Sequence, residues 1–280
     1  MTEPLRITSR QNERVKRAVR LRDRRGRKRQ RRFLIDGRRE LHRAVVAGIA
    51  IDEIFLCESL CQPAEMGPIG AMLDATAAEV MHVTEHVFAR LAFGARAEGL
   101  VGVARTPPRS LADLRLPECP LVAVIEGAEK PGNVGAVLRS ADGAGVDAVV
   151  LADGRTDLFH PAVVRASLGT LFHIPVCEAT SQSTCAWLDR QGLAVLTASP
   201  EATRLYTDVD YRPGTAVVLG SEATGLSTAW KRVGPTAIRL PQQGMADSLN
   251  VSVAAAVIFY EAFRQRASPL QGEGGLQGIF

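Results

Sequence analysis

The sequence predicts two consecutive α/β units, the second built on a parallel sheet covered on both faces. Three observations predict this. From residue 121 onward, short continuous Val/Leu/Ile runs alternate with segments of helical apolar spacing, the pattern of buried parallel strands joined by helices. The stretch "TPPRSLADLRLPECP" at 106–120 carries four prolines and no long periodicity, so it divides the chain. Ahead of it, strand-like and helix-like segments alternate on a smaller scale.

The chain opens with a basic extension, residues 1–32. The formal charge of the whole protein is +4, yet residues 1–43 hold 17 Lys/Arg against 5 Asp/Glu. Between 14 and 32 there are 12 basic residues and one acid. One reading is a solvated charged helix or arm. The other is a phosphate-binding patch, since clustered cations neutralise a nucleic-acid backbone and release its counterions. Arg24, Arg25, Arg27, Lys28, Arg29, Arg31 and Arg32 are its candidate contacts. No Trp or Phe lines an opposing face, which argues against a membrane-surface role.

Residues 33–105 read as a small α/β unit. Phe33–Ile35 is a short strand, and Asp36-Gly37 marks a turn. Leu41, Val45 and Val46 fall at helical spacing, with Gly48 as a C-cap. A second strand follows at 51–57, then a strand and helix within 78–93, with Thr84 or Glu85 near the helix start. A last strand spans 99–105, and residues 106–118 form the linker.

The second unit, 119–266, has expected strands at 121–127, 147–153, 193–199, 215–222 and 236–241. Helical segments lie at 134–145, 161–169 and 184–192, and a final helix runs from Asn250 to about Arg264. The Gly-rich tail, 267–280, has no periodicity and is expected to be disordered.

Composition removes several classes of function. No apolar run reaches the roughly 20 residues of a membrane helix, and no signal-peptide core opens the chain. Five cysteines without a CxxC pair support neither a disulfide framework nor a zinc site. A reducing cytoplasm is the expected location, without a membrane partner or a metal. Neither GxGxxG nor GxxxxGK[ST] occurs, so no dinucleotide fingerprint or P-loop is present.

Three polar loops at strand ends remain. In "IEGAEKPGNVGAVLRSADGAG" (125–145) a glycine-rich loop leads into a helix expected to begin near Asn133–Val134, with Arg139 almost two turns on and roughly on the same side. In "VVLGSEATGLS" (217–227) Glu222 follows the strand. In "LPQQGMADSLNVSVAAAV" (240–257) Ser248 and Asn250 stand at a helix mouth, where Asp247 or Ser248 could serve simply as N-cap. Each loop alone is an ordinary βα turn. Together they describe a ligand cleft at the carboxyl ends of the strands.

These three segments resemble, in order and spacing, the motifs of the SpoU (TrmH-type) RNA 2′-O-ribose methyltransferases of the SPOUT superfamily. The resemblance covers about residues 120–266. It implies a C-terminal SPOUT domain with a parallel sheet and a trefoil knot, using S-adenosyl-L-methionine (AdoMet) and pairing as a homodimer. Residues 33–57 and 99–105 look like the family's smaller N-terminal α/β RNA-binding domain, itself similar to small ribosomal proteins. By the same resemblance Asn133, Arg139, Glu222, Ser248 and Asn250 are the catalytic set. Backbone around Leu219, Gly220, Ile238, Leu240, Ser248 and Leu249 would hold the cofactor. Arg139 would grip the ribose–phosphate and steady the developing oxyanion. Separately, in "FHPAVVRASLG" Arg165 and Ser167 could reach RNA or simply belong to helix-start packing. The family often carries an apolar residue beside the proline where this chain has Gln242-Gln243. The implied substrate is large-subunit ribosomal RNA. Transfer RNA, or a non-catalytic role in ribosome assembly, are the alternatives.

Overall fold

The computed structural model describes residues 5–94, 98–221, 224–245 and 247–267. The first unit contains β1 (Leu5–Ile7), α1 (Glu13–Val19), α2 (Arg24–Gln30), β2 (Arg32–Asp36), α3 (Arg38–Val46), β3 (Ile51–Leu56), α4 (Pro63–Asp74), β4 (Glu79–Val83), α5 (Glu85–Leu91) and β5 (Leu100–Arg105). The second contains β6 (Leu121–Glu126), α6 (Pro131–Gly143), β7 (Ala148–Ala152), α7 (Pro161–Ala166), β8 (Val176–Ala179), α8 (Ser181–Arg190), β9 (Ala194–Ala198), β10 (Arg204–Leu205), β11 (Thr215–Leu219), β12 (Thr236–Arg239) and α9 (Val251–Arg266).

The first sheet is mixed, in the order β1-β4-β3-β5-β2. Strands β1, β4 and β3 run parallel, whereas β5 is antiparallel to both β3 and β2. The expected separate extension is corrected here. Val15, Ala18 and Leu21 are buried with Phe55, Met81, Val87 and Phe88 in one apolar cluster, and β1 adds an edge strand. The apolar positions in this arginine-rich stretch are few but fall three apart, enough to dock one helical face while the cations stay outside.

The second sheet is wholly parallel, in the order β10-β12-β9-β11-β6-β7-β8. Its central strands show why their sequences are continuous apolar runs. Leu121, Ala123 and Ile125 of β6 pack with Val137, Leu138 and Ile258 on one side. Val122 and Val124 pack with Trp187, Leu188 and Trp230 on the other. Alternate residues therefore enter different cores, and both faces must be apolar.

The two units are not held merely by the 106–118 segment. Phe33 of β2 lies 4.6 Å from Phe159 and 6.0 Å from Phe172 between ring centroids. All three belong to one apolar cluster with the second sheet. Arg27 adds a buried bidentate pair to Asp157, at 3.0 and 2.5 Å. Arg165 of α7 pairs with Asp36 of β2 at 3.5 Å.

Local chemistry explains the element ends that matter below. Thr84 caps α5 by accepting from the Val87 N–H. His160 caps α7 through Nδ1, which accepts from the Ala162 N–H at 3.1 Å, and packs edge-on against Phe93. Burial lowers the His160 pKa, which suits an imidazole that must stay an acceptor. The close approach of α6 to α7 requires glycine at 135, where a Cβ would stand 2.5 Å from that of Ala166.

Candidate active site

The carboxyl ends of β9, β11 and β12 meet around a cavity of about 250 Å³. Leu219 and Gly220 line it from β11, Ile238 and Leu240 from β12, and Ser248 and Leu249 from the segment entering α9. These are the six residues expected to surround a cofactor, and the fold brings all of them to one cavity. Three lining residues that sequence reasoning missed, Ala198, Ser199 and Pro200, come from the end of β9. Their signal was weak, because nothing local shows that β9 lies beside β11.

Gly220 has a geometric reason. A Cβ there would lie 2.6 Å from the Gly225 carbonyl carbon and 2.8 Å from the Leu226 nitrogen. Ser221 and Gly225 close the loop by exchanging backbone hydrogen bonds of 3.1 and 2.9 Å, and Gly225 supplies φ of +65°. Glu222 lies outside the described residues.

A second cavity of about 220 Å³ adjoins the first, sharing Gly220, Ser221 and Val251. Asn133, Lys130 and Glu129 form its far side. Here the first and third expected motifs touch: Asn250 Nδ2 donates to Asn133 Oδ1 at 3.2 Å. Asn250 Oδ1 meanwhile accepts from the Ser252 N–H at 2.9 Å and from its hydroxyl at 2.6 Å.

Two assignments need correction. The N-cap of α9 is Asn250, not Asp247 or Ser248, which leaves the Ser248 side chain at the cavity. On the other helix, α6 begins at Pro131, so Asn133 sits in its first turn and does not cap it. Proline suits that first helical position because its missing N–H has no partner there.

Arg139 is not brought together with Asn133. It is exposed on α6 and lines neither cavity. Six residues at about 100° each carry it roughly 120° around the helix from Asn133. It lies one turn before Gly143 on α6, the helix that packs along α9. There Gly143 abuts Tyr260, whose hydroxyl a Cβ at 143 would approach to 2.9 Å. Beside it α9 exposes Val253, Val257, Tyr260 and Phe263.

A buried acid that the sequence did not single out organises the cleft. Glu126, at the end of β6, accepts from the Ser227 N–H and hydroxyl, both at 2.7 Å, and from the Ser181 hydroxyl. Burial raises its pKa, but the bonds from Ser181 and Ser227 outweigh burial and hold the carboxyl below the usual value. It ties the 220–227 loop to the start of α8. The available signal was an ionisable residue ending an otherwise apolar strand.

The basic residues divide. Arg24, Arg25, Lys28, Arg29 and Arg31 are exposed. Arg27, expected at the nucleic-acid surface, is 5% exposed and joined to Asp157. Arg32 pairs with Asp52 at 2.8 Å, and Arg165 with Asp36 while donating to the Phe93 carbonyl. Internal carboxylates engage these three.

Fold and site together define a two-unit α/β protein with a small-molecule cavity at the carboxyl ends of its parallel strands. Comparison with known proteins makes this specific: residues 120–260 match the SpoU rRNA Methylase family, and 12–102 match the MRM3-like substrate binding domain. The chain belongs to the SpoU rRNA methylase family. It is 28% identical to the 23S rRNA (guanosine(2553)-2′-O)-methyltransferase RlmP of Bacillus subtilis, over 91% of this chain and 97% of that protein. It is 31% identical, over 93% and 94%, to an uncharacterized tRNA/rRNA methyltransferase of Synechocystis. Among solved structures, an RNA 2′-O ribose methyltransferase superposes with TM-score 0.82 at 42% identity, covering 94% of this chain and 99% of that one. An AdoMet-bound rRNA methyltransferase from Sinorhizobium meliloti gives 0.85 at 26% identity, covering 95% and 100%.

Proposed function

We infer that this protein is an AdoMet-dependent RNA methyltransferase that modifies a ribose 2′-hydroxyl, with large-subunit ribosomal RNA as substrate. The observation that carries the reading is the convergence of the three polar segments. Two of them line one cavity, and the third joins it through the hydrogen bond between Asn250 and Asn133.

The first cavity fits AdoMet. Its apolar walls, Leu219, Ile238, Leu240 and Leu249, suit an adenine face, and the absence of a side chain at Gly220 leaves backbone groups accessible. Ser199, Ser221, Ser248 and Gln242 add polar groups around it. Bound there, AdoMet would supply an electrophilic methyl group on a sulfonium.

The protein's own residues position the acceptor. Methyl transfer is an in-line displacement, so holding the 2′-oxygen in place supplies much of the acceleration. Asn133, which lines the second cavity, is held by Asn250, and the pair can orient the ribose. Ser248, exposed at the first cavity, can relay a proton. Glu222 is assigned to holding its loop. Arg139 is assigned to the ribose–phosphate and the developing oxyanion, and a guanidinium is too weak an acid to be an easy base.

Arg139 lines neither of its own chain's cavities, and α9, which packs along the same helix, exposes apolar side chains. That supports a homodimer through the C-terminal unit, in which α9 is covered and Arg139 meets a site across the interface. We further assign a trefoil knot to the C-terminal unit, on its membership of the SpoU rRNA methylase family. The N-terminal unit with its exposed cations serves as the RNA-binding domain, and the cytoplasm, where ribosomal RNA is found, is the site of action. Among the described residues, no helix is long and apolar enough to cross a membrane.

The test is incubation of the purified protein with radiolabelled AdoMet and unmodified ribosomal or transfer RNA, with Arg139→Ala in parallel. Label at alkali-resistant linkages of large-subunit RNA, lost in the variant, is the expected result. Label in transfer RNA alone would replace the substrate. Tight binding of RNA and AdoMet without label would leave an assembly factor.

A further inference from the structure

Where the two units meet, α2, the start of the 106–118 segment and the strand ends of β7 and β8 enclose a cleft of about 480 Å³. It is separate from the two cavities above and shares no lining residue with them. Arg24, Lys28 and Arg31, all exposed, are among its lining residues. Pro107, Phe159 and Glu178 also line it.

The chemistry of this lining is mixed in a particular way. Three exposed cations attract an anion. Asp157 does not oppose them, because it is paired with buried Arg27. Pro107 and Pro108 offer an apolar edge, while Phe159, largely buried against Phe33 at 4.6 Å, closes the floor of the cleft. Glu178 is the anomaly. A carboxylate among cations would weaken a site built for phosphate alone, but it is the group that accepts from a base amino group. Its Oε1 is oriented by the Leu158 N–H at 2.7 Å, so the side chain is pre-placed.

We propose that this interdomain cleft is a second nucleotide-binding site, gripping one unpaired RNA nucleotide with Arg24, Lys28 and Arg31 on its phosphates and Glu178 on a base amino group. Adenine, guanine and cytosine carry such a group; uracil does not. The cleft is linked to the reaction centre by adjacent contacts. Arg24 donates to the Arg155 carbonyl at 3.1 Å, Arg155 pairs with Glu129 at 2.6 Å, and Glu129 lines the cavity that also contains Asn133. The proposal rests on the reading that this protein acts on RNA.

The test uses the full chain and unmodified large-subunit ribosomal RNA in a filter-binding titration over several salt concentrations. Wild-type binding and methyl transfer establish the functional reading first; their absence would overturn that reading and this proposal with it. Given wild-type activity, the double variant Lys28→Ala with Arg31→Gln should bind RNA about tenfold more weakly. Its slope of log affinity against log salt should fall by about 1.4, two contacts at about 0.7 each. Its AdoMet affinity should be unchanged. Glu178→Gln should also weaken RNA binding, with the salt slope preserved. Tighter binding on removal of that charge would show that Glu178 merely repels phosphate and would overturn the base contact. Wild-type affinity and slope in the double variant would overturn the site.

Discussion

Asn250 Nδ2 donates to Asn133 Oδ1 across 3.2 Å, linking residues 117 positions apart at the N-terminal ends of α9 and α6. The two helices run in the same direction from this bond, because Gly143 later abuts Tyr260. The bond therefore fixes the mouth of a helix pair whose other end is closed by packing. The Asn250 carboxamide has a second duty, since its oxygen caps α9.

That double duty separates two variants. Asn250→Ala should lower stability by about 1 kcal/mol through the lost cap, as well as reduce methyl transfer. Asn133→Ala, in the first turn of α6 without a capping role, should reduce methyl transfer with a smaller loss of stability. In a double-mutant cycle the activity losses should be less than additive, because either change breaks the same bond. Thermal denaturation and single-turnover kinetics would check both; additive losses would mean the bond carries no coupling.

Gly220→Ala should abolish AdoMet binding. The new methyl meets the Gly225 carbonyl carbon at 2.6 Å, and backbone on both sides leaves no flexible neighbour to yield. Isothermal titration calorimetry should show loss of binding while circular dichroism retains the helix and strand signal.

Asp36 supplies a pH dependence. Burial, chiefly, raises its pKa from 3.8 to about 6, against the lowering influence of the Phe93 N–H and Arg165. The folded state thus binds this proton more tightly than the unfolded chain. The carboxylate costs stability above about pH 6, and that cost is relieved as pH falls through 6 towards 3.8. The difference in melting temperature between wild type and Asp36→Asn should shift in favour of wild type between pH 7 and 5. A difference that does not change over that range would remove Asp36 as the titrating group.

Arg27 and Lys28 are neighbours on α2 with opposite fates. Arg27→Ala leaves Asp157 without its partner and should destabilise the fold by about 3–5 kcal/mol. Lys28→Ala, fully on the surface, should change stability by less than about 0.5 kcal/mol while weakening RNA binding. Urea denaturation of both variants would distinguish a structural arginine from a surface cation.

The exposed side of α9 should disappear in the proposed homodimer. Val257→Asp places a charge among Val253, Tyr260 and Phe263, which are 49%, 45% and 47% exposed. It should convert a dimer to a monomer in light scattering and lower methyl transfer, with the monomer still folded. An unchanged mass would move the interface elsewhere.

Much of the architecture was legible because apolar periodicity is local. The runs at 121–127, 147–153 and 215–222 end within a few residues of β6, β7 and β11, and their lack of polar alternation already required a sheet covered on both faces. Other elements left little local trace. Helix α4 includes two prolines and two glycines, β1 is three residues long, and β8 carries Glu178 in a four-residue strand. Trp187 and Trp230 are both buried against the second sheet. Arg139 did not follow its expected side, because its angular distance from Asn133 around α6 is set by helix geometry and not by motif spacing.

By itself the sequence determined the alternation of strands and helices, the break near 106–120, and three polar loops in order along the chain. Only the tertiary structure decided that β11 lies between β6 and β9. That placement brings residues 198–200, 219–221 and 238–254 to a single cavity and Asn250 to Asn133. It likewise turned Arg27 inward to Asp157 while leaving Lys28 in solvent. The physical reason is one of range. Periodicity and capping are decided by neighbours a few residues apart, whereas strand order and the pairing of distant polar groups follow from how whole elements bury their apolar faces together.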